Sequence, residues 1–439
     1  MTRSLKKWLL ALTAICIVGT VTAQKMEDRI TFSLDNWDGL YRIGETVAIH
    51  AEVAEPFEAV QELWINGLRV SSEKVTIKAG KYDILTRCDN EPTSVMLRLA
   101  HPTKKKDFTD VGYGVGLEQV KPGFEKPNDF MAWWQKQVKK MRKEKIDAKL
   151  VEVKAPKKFA KDYVVYDIEI NCREGGAPAR GYLAMPKNVP VKSLPICIMA
   201  HGGGVRNLSN RSQIGVALRY ASAGGGAIAI DLNAHGMLND QPQEYYDELE
   251  KTTLNNYIWR EIKDRDSYYC RGLYLRMQRT LDYLCTLPEW DGERVLVLGG
   301  SQGGAQTAAL SGLDSRVTHA LIREPGMMDL GADLVGRKSG PPYLGEQFGH
   351  TNAFLKALPY FDMAFFMPHI KAKVLFECGL VDMSCTPTSM MAGYNMATCE
   401  KQLLTYPFRA HRVPKGKYKE VWNERINKTI KEFINEALK

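Results

Sequence analysis

Short apolar runs alternate with helical stretches in the second half of the chain, and this alternation constrains the fold more than any other feature. The apolar runs cover residues 194–200, 227–230, 295–298, 320–322 and 374–376, and the helical stretches cover residues 213–223, 268–287 and 305–313. Strands that are apolar at every position belong to a parallel sheet that helices cover on both faces. Earlier extended runs, near Val151 and at residues 164–170 and 182–185, would form the leading edge of the sheet. The sequence therefore predicts an α/β domain with a mostly parallel sheet over residues 121–439.

The preceding region, residues 24–120, has a different pattern. In residues 46–53 the larger apolar side chains fall on every second position, and residues 62–65 and 81–85 are shorter candidates of the same kind. Asn66-Gly67 fits a tight hairpin turn. We predict a smaller all-β sandwich of immunoglobulin-like type here, with a structural or spacer role favoured over carbohydrate binding.

A linker and a helix are predicted between these two regions. Residues 120–127 contain two prolines and a glycine, which interrupt any regular pattern. A helix should begin after Asn128, with Phe130, Trp133, Trp134 and Val138 on its apolar side.

The first 23 residues have the pattern of a secretory signal peptide. Three basic residues (Arg3, Lys6, Lys7) precede an apolar run at residues 8–18, and small residues precede a cleavage site after about Ala23. A membrane anchor is the alternative, but the run is short for a bilayer span, and no later stretch approaches one. We expect a secreted or periplasmic protein without stable membrane insertion.

Composition narrows the functional classes. With 44% hydrophobic residues the chain is an ordinary folded one, and nine cysteines in 439 residues are too few for a small disulfide scaffold. Cleavage of the signal peptide lowers the formal net charge from +9 to +6. Lysines crowd residues 136–161 without a nucleic-acid-binding motif, so no nucleic-acid partner is expected. No cysteine or histidine spacing is typical of a metal site, and we expect no metal or other cofactor.

The pentapeptide Gly299-Gly300-Ser301-Gln302-Gly303 matches G-x-S-x-G. It lies between a predicted buried strand and a predicted helix, where the turn would lift the Ser301 hydroxyl above the sheet. A serine nucleophile needs a histidine base and a carboxylate that orients the base, in the chain order serine, acid, histidine. Of the downstream histidines, only His411 follows the last predicted strand, at residues 402–406. Asp382 follows the strand at residues 374–376 and is the preferred acid, with Asp329 and Asp362 as rivals.

The developing negative charge on the substrate oxygen requires N–H donors. The backbone N–H of Gln302 is the expected first donor. The second should come from His201-Gly202-Gly203-Gly204, which follows the strand at residues 194–200. Gly203 is preferred and Gly202 is the alternative, whereas His201 is expected to brace the loop.

From residue 126 to about residue 430 the chain resembles the acetyl xylan esterase / cephalosporin-C deacetylase family of α/β-hydrolases. The matching segments are Lys126-Pro127-Asn128-Asp129-Phe130 with Trp133-Trp134, Gly300-Ser301-Gln302-Gly303-Gly304, Tyr360-Phe361-Asp362, Gly379-Leu380-Val381-Asp382 with Cys385 and Pro387, and Tyr394-Asn395. The resemblance implies a serine esterase that removes O-acetyl groups from xylan-derived or other sugars without a cofactor. It supports the roles given to Ser301, Asp382 and His411, and it suggests a homo-oligomer, which an extra N-terminal domain could block.

Three positions depart from the family pattern. Where the family has Arg-Gly-Gln after an aspartate, this chain has other residues after Asp231, including Asn233. Arg412 stands where the family has an acidic residue after the catalytic histidine. Gly203 stands where the family has an aromatic residue after His-Gly. The lost aromatic predicts an open pocket for a larger alcohol or acyl group. A broad carboxylesterase or peptidase on the same fold, and a non-catalytic glycan-binding protein, are the alternative functions.

Overall fold

The computed structural model describes residues 25–343, 349 and 351–439. The predicted signal peptide, residues 1–23, lies outside the described residues. Within the described part of the chain, no helix combines the length and the apolar character needed to cross a membrane.

Eight strands in the N-terminal region form two sheets: β1 (Ile30–Ser33), β2 (Leu40–Tyr41), β3 (Thr46–Val53), β4 (Phe57–Ile65), β5 (Leu68–Ile77), β6 (Gly80–Cys88), β7 (Thr93–Ala100) and β8 (Phe108–Val115). One sheet has the order β1-β3-β6 and the other β2-β8-β7-β4-β5, and the side chains between them form one apolar core. Asn66 and Gly67 form the two-residue hairpin between β4 and β5, both with positive φ, as predicted. The smaller all-β region is thus present, and its boundary at residue 120 stays a prediction.

Nine further strands form the large sheet: β9 (Ala148–Val153), β10 (Tyr163–Ile170), β11 (Ala179–Pro186), β12 (Leu194–Ala200), β13 (Ile228–Asn233), β14 (Trp290–Gly300), β15 (His319–Arg323), β16 (Lys373–Gly379) and β17 (Lys401–Tyr406). Their order is β17-β16-β15-β14-β12-β13-β11-β10-β9. Strands β12 to β17 are parallel, and β9, β10 and β11 form an antiparallel edge. The mostly parallel sheet and its leading edge are confirmed.

Ten α-helices are present in the described chain: α1 (Met26–Arg29), α2 (Phe130–Arg142), α3 (Ile214–Ala221), α4 (Gln243–Lys251), α5 (Tyr269–Leu284), α6 (Gln302–Leu313), α7 (Asn352–Ala357), α8 (Pro387–Met396), α9 (Tyr418–Trp422) and α10 (Lys428–Ala437). Helix α2 begins one residue later than predicted, after Asp129, and its four predicted apolar residues are buried.

The apolar strands are explained by two cores, one on each face of the large sheet. In β14, Val295 and Val297 pack in the core that contains residues of α2, α5 and α6. The alternate residues, Leu296 and Leu298, pack in the opposite core with residues of α3, α9 and α10. Because both faces of the strand are buried, neither can be polar.

The sandwich packs against the end of β17 and against the segments that follow β16 and β17. The Gly112 N–H donates to Pro407 O (2.9 Å), and the Thr405 hydroxyl donates to Asp38 O (2.8 Å). A Cβ atom added to Gly112 would lie 2.4 Å from Leu380 O, so the two parts are in close backbone contact. These segments carry two of the predicted site residues.

Candidate active site

Ser301 occupies the turn between β14 and α6. Its φ of 57° and ψ of −125° lie in a region that residues with a side chain rarely adopt. The Ser301 N–H donates to Arg323 O (3.0 Å), and the Ser301 carbonyl accepts from Gly326 N (2.9 Å). The strained turn is therefore held by the end of β15 and the loop after it. The strand–turn–helix context expected for the G-x-S-x-G motif is present.

The outer glycines of the motif are required by close backbone approach. A Cβ atom on Gly303 would lie 2.2 Å from Ala200 O, and one on Gly299 would lie 2.8 Å from the same oxygen. The turn thus packs directly on the carboxyl end of β12. Only residues without a Cβ allow this contact.

Asp382 and His411 follow the neighbouring strands β16 and β17, at the sheet edge where Ser301 follows β14. His411 Nδ1 lies 2.8 Å from Asp382 Oδ2. The other carboxylate oxygen accepts from Ser384 N (2.7 Å) and Cys385 N (3.0 Å), which fixes the carboxylate. The Asp382 side chain is fully buried, whereas 32% of the His411 side chain is exposed. The imidazole is therefore accessible while its carboxylate partner is shielded from water.

The two alternative candidates for the acid, Asp329 and Asp362, form a separate buried cluster. Asp362 accepts hydrogen bonds from the N–H groups of Asp329 (2.9 Å) and Leu330 (2.7 Å), and Arg337 pairs with Asp329 at 2.7 Å. Burial raises the pKa of Asp362 to about 7. Neither rival carboxylate contacts a histidine within the described ranges, and both hold the loop after β15.

The glycine loop after β12 lies over the Ser301–Gln302 turn. A Cβ atom on Gly202 would lie 3.7 Å from Ser301 Cβ, and one on Gly203 would lie 3.6 Å from Gln302 Oε1. Gly202 therefore borders the serine, and Gly203 borders the residue after it. Both candidate positions adjoin the turn, and the choice of Gly203 over Gly202 stays a prediction.

Tyr257 fills the space beside Gly203. A Cβ atom on Gly203 would lie 2.9 Å from the Tyr257 hydroxyl. This hydroxyl donates to Gln302 Oε1 and accepts from the Gly204 N–H, and burial raises the pKa of Tyr257. The expectation of an open pocket is therefore wrong at this position, because the hydroxyl group of a tyrosine from a distant segment occupies the space beside Gly203. Sequence reasoning missed Tyr257, which lies 45 residues before Gln302 in a segment without a motif.

His201 braces the glycine loop, as expected from the sequence. Its Nε2 lies 2.7 Å from Asp231 Oδ1, and its Nδ1 lies 3.0 Å from Ser209 O. Burial lowers the pKa of His201, but the Asp231 carboxylate outweighs burial, and the net pKa is raised. The ring is therefore held between β13 and the loop.

Asn233, one of the departures from the family pattern, is a structural residue. It is buried, its Oδ1 accepts from Ser212 N (2.7 Å), and its Nδ2 donates to Asn239 Oδ1 (2.7 Å). These bonds tie the end of β13 to two neighbouring loops.

A buried cluster of charged residues supports the segment that carries His411. Arg409 lies 2.8 Å from Glu324 Oε1 and 3.0 Å from Glu377 Oε1, and Arg323 lies 2.6 Å from Glu377 Oε2. Burial raises the pKa of Glu377, but the two guanidinium groups outweigh burial and lower it. Buried charges are tolerated only when paired in this way. Arg412, by contrast, is exposed and belongs to no such cluster in the described chain.

Asp382, Cys385 and His411 also meet the distance criterion for a metal site, with one ligand atom from each lying within 4.8 Å of the others. Both Asp382 oxygens already accept hydrogen bonds. Burial raises the pKa of the Cys385 thiol well above its usual value, and a thiol must ionise to bind a metal. The arrangement is better suited to orienting an imidazole than to holding a cation.

Comparison with known proteins identifies relatives of this chain. A family model described as acetyl xylan esterase (AXE1) matches residues 115–426. Acetyl esterase Axe7A of Xylanibacter ruminicola is 28% identical over 385 residues, which cover 85% of this chain and 84% of that protein.

Two solved structures share the fold. The acetyl xylan esterase from Paenibacillus sp. R4 has a TM-score of 0.59 and 25% identity, covering 72% of this chain and 98% of that one. Acetyl xylan esterase 1 from Thermoanaerobacterium sp. JW/SL YS485 also has a TM-score of 0.59, with 23% identity over 73% of this chain and 97% of that one. The fold class and the family inferred from the sequence are confirmed. Since the family model matches well over half of its length, the chain belongs to the acetyl xylan esterase family and is a serine carboxylic-ester hydrolase with the α/β-hydrolase fold.

Proposed function

We propose that Ser301, His411 and Asp382 form the catalytic triad of an acetyl esterase. The observation that carries the proposal is the 2.8 Å contact between His411 and the buried Asp382, at the sheet edge where Ser301 occupies a strained turn. An imidazole that donates Nδ1–H to a fixed carboxylate presents its other nitrogen as a base.

The reaction proceeds in two halves. Nε2 of His411 accepts the hydroxyl proton while Ser301 Oγ attacks the ester carbonyl, and the backbone N–H groups of Gln302 and Gly203 stabilise the oxyanion. His411 then gives the proton to the departing sugar oxygen, which leaves an acetyl-enzyme. Water, deprotonated by His411, attacks this intermediate and releases acetate.

The proposed substrate is an acetylated carbohydrate, such as acetylated xylan or xylo-oligosaccharides. The names of the relatives, an acetyl esterase and two acetyl xylan esterases, support this class. We further propose export, on the basis of the signal-peptide pattern at residues 1–23. No nucleic acid or membrane takes part in this proposal, and a homo-oligomer remains the prediction made from the family.

Ser301→Ala tests the nucleophile, with Ser311→Ala as the matched control. Ser311 is a buried serine of α6 whose hydroxyl has no hydrogen-bond partner in the described chain. We expect Ser301→Ala to lower kcat for 4-nitrophenyl acetate by several orders of magnitude and to abolish labelling by a serine-directed phosphonate, with the fold retained. Ser311→Ala should keep both. Undiminished hydrolysis by Ser301→Ala would refute the assignment.

The substrate class is tested by acetate release from acetylated xylo-oligosaccharides, longer-chain esters and peptides. Preferred cleavage of longer esters or peptides would instead favour the broad carboxylesterase or peptidase. Glycan binding without hydrolysis or phosphonate labelling would favour the non-catalytic binding protein.

A further inference from the structure

A groove of about 650 Å³ lies between the sandwich and the segment around His411. One wall is formed by the β7–β8 loop and the start of β8, residues 104–110, and the other by residues 408–415. Ala410 and Arg412, the two sequence neighbours of His411, line the groove. The sandwich wall precedes residue 115, where the match to the family model begins. The groove is therefore built partly by a region outside the match to the family model.

The groove presents positive charge that the protein itself leaves uncompensated. Lys104, Lys106, Arg412 and Lys415 line it and are exposed. None of these four side chains has a carboxylate within 4.0 Å among residues 25–343, 349 and 351–439. They are free to bind an anion from solution.

The carboxylates of the groove are already occupied. Each has a partner within the sandwich region: Asp110 with Arg98 (2.7 and 2.8 Å), Asp107 with the Met26 N–H (2.9 Å), and Glu27 with Lys25 (3.6 Å). Five cationic side chains, including Lys25, line the groove against these three carboxylates, so the field in the groove favours an anionic ligand.

Phe108 offers an aromatic platform in the same groove. The residue is 40% exposed, although it lies beside a buried strand core. The Arg98 guanidinium lies 4.0 Å from the ring centroid, and Asp110 fixes that guanidinium, so the ring has a defined position. The face of an aromatic ring is electron-rich and attracts the polarised C–H groups of a sugar ring.

We propose that this groove binds an acidic saccharide unit of the acetylated substrate. The sugar ring contacts Phe108, and its anionic group, a carboxylate or a sulfate, pairs with Lys106, Arg412 and Lys415. The inference rests on the proposed function, and it adds a preference for acidic over neutral acetylated oligosaccharides. Because Ala410 and Arg412 flank His411 in the sequence, a chain that extends from the groove towards His411 would present its neighbouring acetyl groups to the active site.

The test compares four substrates on the full chain. These are 4-nitrophenyl acetate, which is too small to reach the groove, a neutral acetylated oligosaccharide, and the same oligosaccharide with one uronate or one sulfate. We expect kcat/KM to be at least tenfold higher for an acidic than for the neutral oligosaccharide, and the advantage to shrink as salt is raised. Comparison of kcat/KM for the uronate and the sulfate oligosaccharide shows which anion the groove prefers.

The double variant Lys106→Glu/Lys415→Glu should lose that advantage through KM, with hydrolysis of 4-nitrophenyl acetate unchanged. Lys105→Glu is the matched control, because Lys105 is an exposed neighbour that does not line the groove. Equal kcat/KM for neutral and acidic substrates in the wild type would overturn the inference, as would an equal loss in Lys105→Glu.

Calorimetry with a non-acetylated uronate oligosaccharide separates this inference from the proposed function. Binding that the double variant weakens at least tenfold supports the groove even if no acetylated saccharide is hydrolysed. Hydrolysis of acetylated saccharides without such binding would overturn the groove and leave the proposed function intact. Tighter binding to anionic lipid vesicles than to the saccharide would also overturn it.

Discussion

Replacing Gly303 by alanine tests whether the close approach of the serine turn to β12 sets the geometry of the site. The added Cβ would lie 2.2 Å from Ala200 O and 3.0 Å from His201 O. Because real Cβ contacts do not fall below 3.0 Å, helix α6 and the end of β12 must separate by about 0.8 Å. The proposed oxyanion donors, the N–H groups of Gln302 and Gly203, belong to α6 and to the loop after β12. A misplacement of about 1 Å at a reacting group costs about 10²-fold in rate, and overpacking destabilises by about 1–3 kcal/mol. We therefore expect Gly303→Ala to lower kcat by about 100-fold.

The assay is steady-state hydrolysis of 4-nitrophenyl acetate, with circular dichroism and thermal unfolding to follow the fold. Gly300→Ala is the control within the same pentapeptide, because a Cβ there would meet Arg323 O at 3.7 Å, an ordinary contact. That variant should keep kcat within about twofold and the same melting temperature. The reasoning would be refuted if Gly303→Ala kept the wild-type kcat, or if the two variants lost activity equally.

Three further predictions concern other parts of the molecule. Tyr257→Phe removes the hydrogen bond to Gln302 Oε1 but keeps the ring. Because one such bond contributes about 1 kcal/mol, kcat should fall by about fivefold at nearly constant KM. An unchanged kcat would count against the positioning role of Tyr257. Gly112→Ala should lower kcat more than Gly114→Ala does. A Cβ on Gly112 would lie 2.4 Å from Leu380 O, whereas a Cβ on Gly114 meets only the Leu117 side chain. Equal kcat values for the two variants would count against a role for the contact between Gly112 and Leu380. Burial raises the pKa of Asp314, but its hydrogen bonds and charge pairing with Arg316 outweigh burial and lower the pKa from 3.8 to about 2. The resulting stability, about 2 kcal/mol, should be present above pH 4 and lost as the pH falls towards 2; urea unfolding of Asp314→Asn should show a flatter dependence over that range.

Features that depend on near neighbours in the chain could be predicted from the sequence. The turn at Ser301 follows from a strand, two close-packed glycines and a helix within about 20 residues. The hairpin at Asn66-Gly67 likewise depends only on two residues that accept positive φ. The pairing of Asp382 with His411 was predictable because parallel strands end at one sheet edge, so the residues that follow them come together.

The supporting residues could not be predicted, because neither a motif nor the order of the strands indicates their distant partners. Arg409 pairs with Glu377, 32 residues earlier, and Tyr257 bonds to Gln302 across 45 residues. The wrong expectation of an open pocket has the same origin. Glycine at position 203 shows that this residue supplies no ring, but the local sequence carries no information on which distant side chain fills the space.

The N-terminal sandwich contacts both the segment that carries the proposed acid and the segment that carries the proposed base. Asp382 is two residues after Leu380, whose carbonyl lies against Gly112, and His411 is four residues after Pro407, whose carbonyl accepts the Gly112 N–H. One strand of the sandwich therefore contacts both segments whose side chains meet at 2.8 Å. The same strand carries Phe108 and Asp110 on the wall of the groove. A ligand at Phe108 would therefore contact the same strand that contacts the backbone of the acid and base segments.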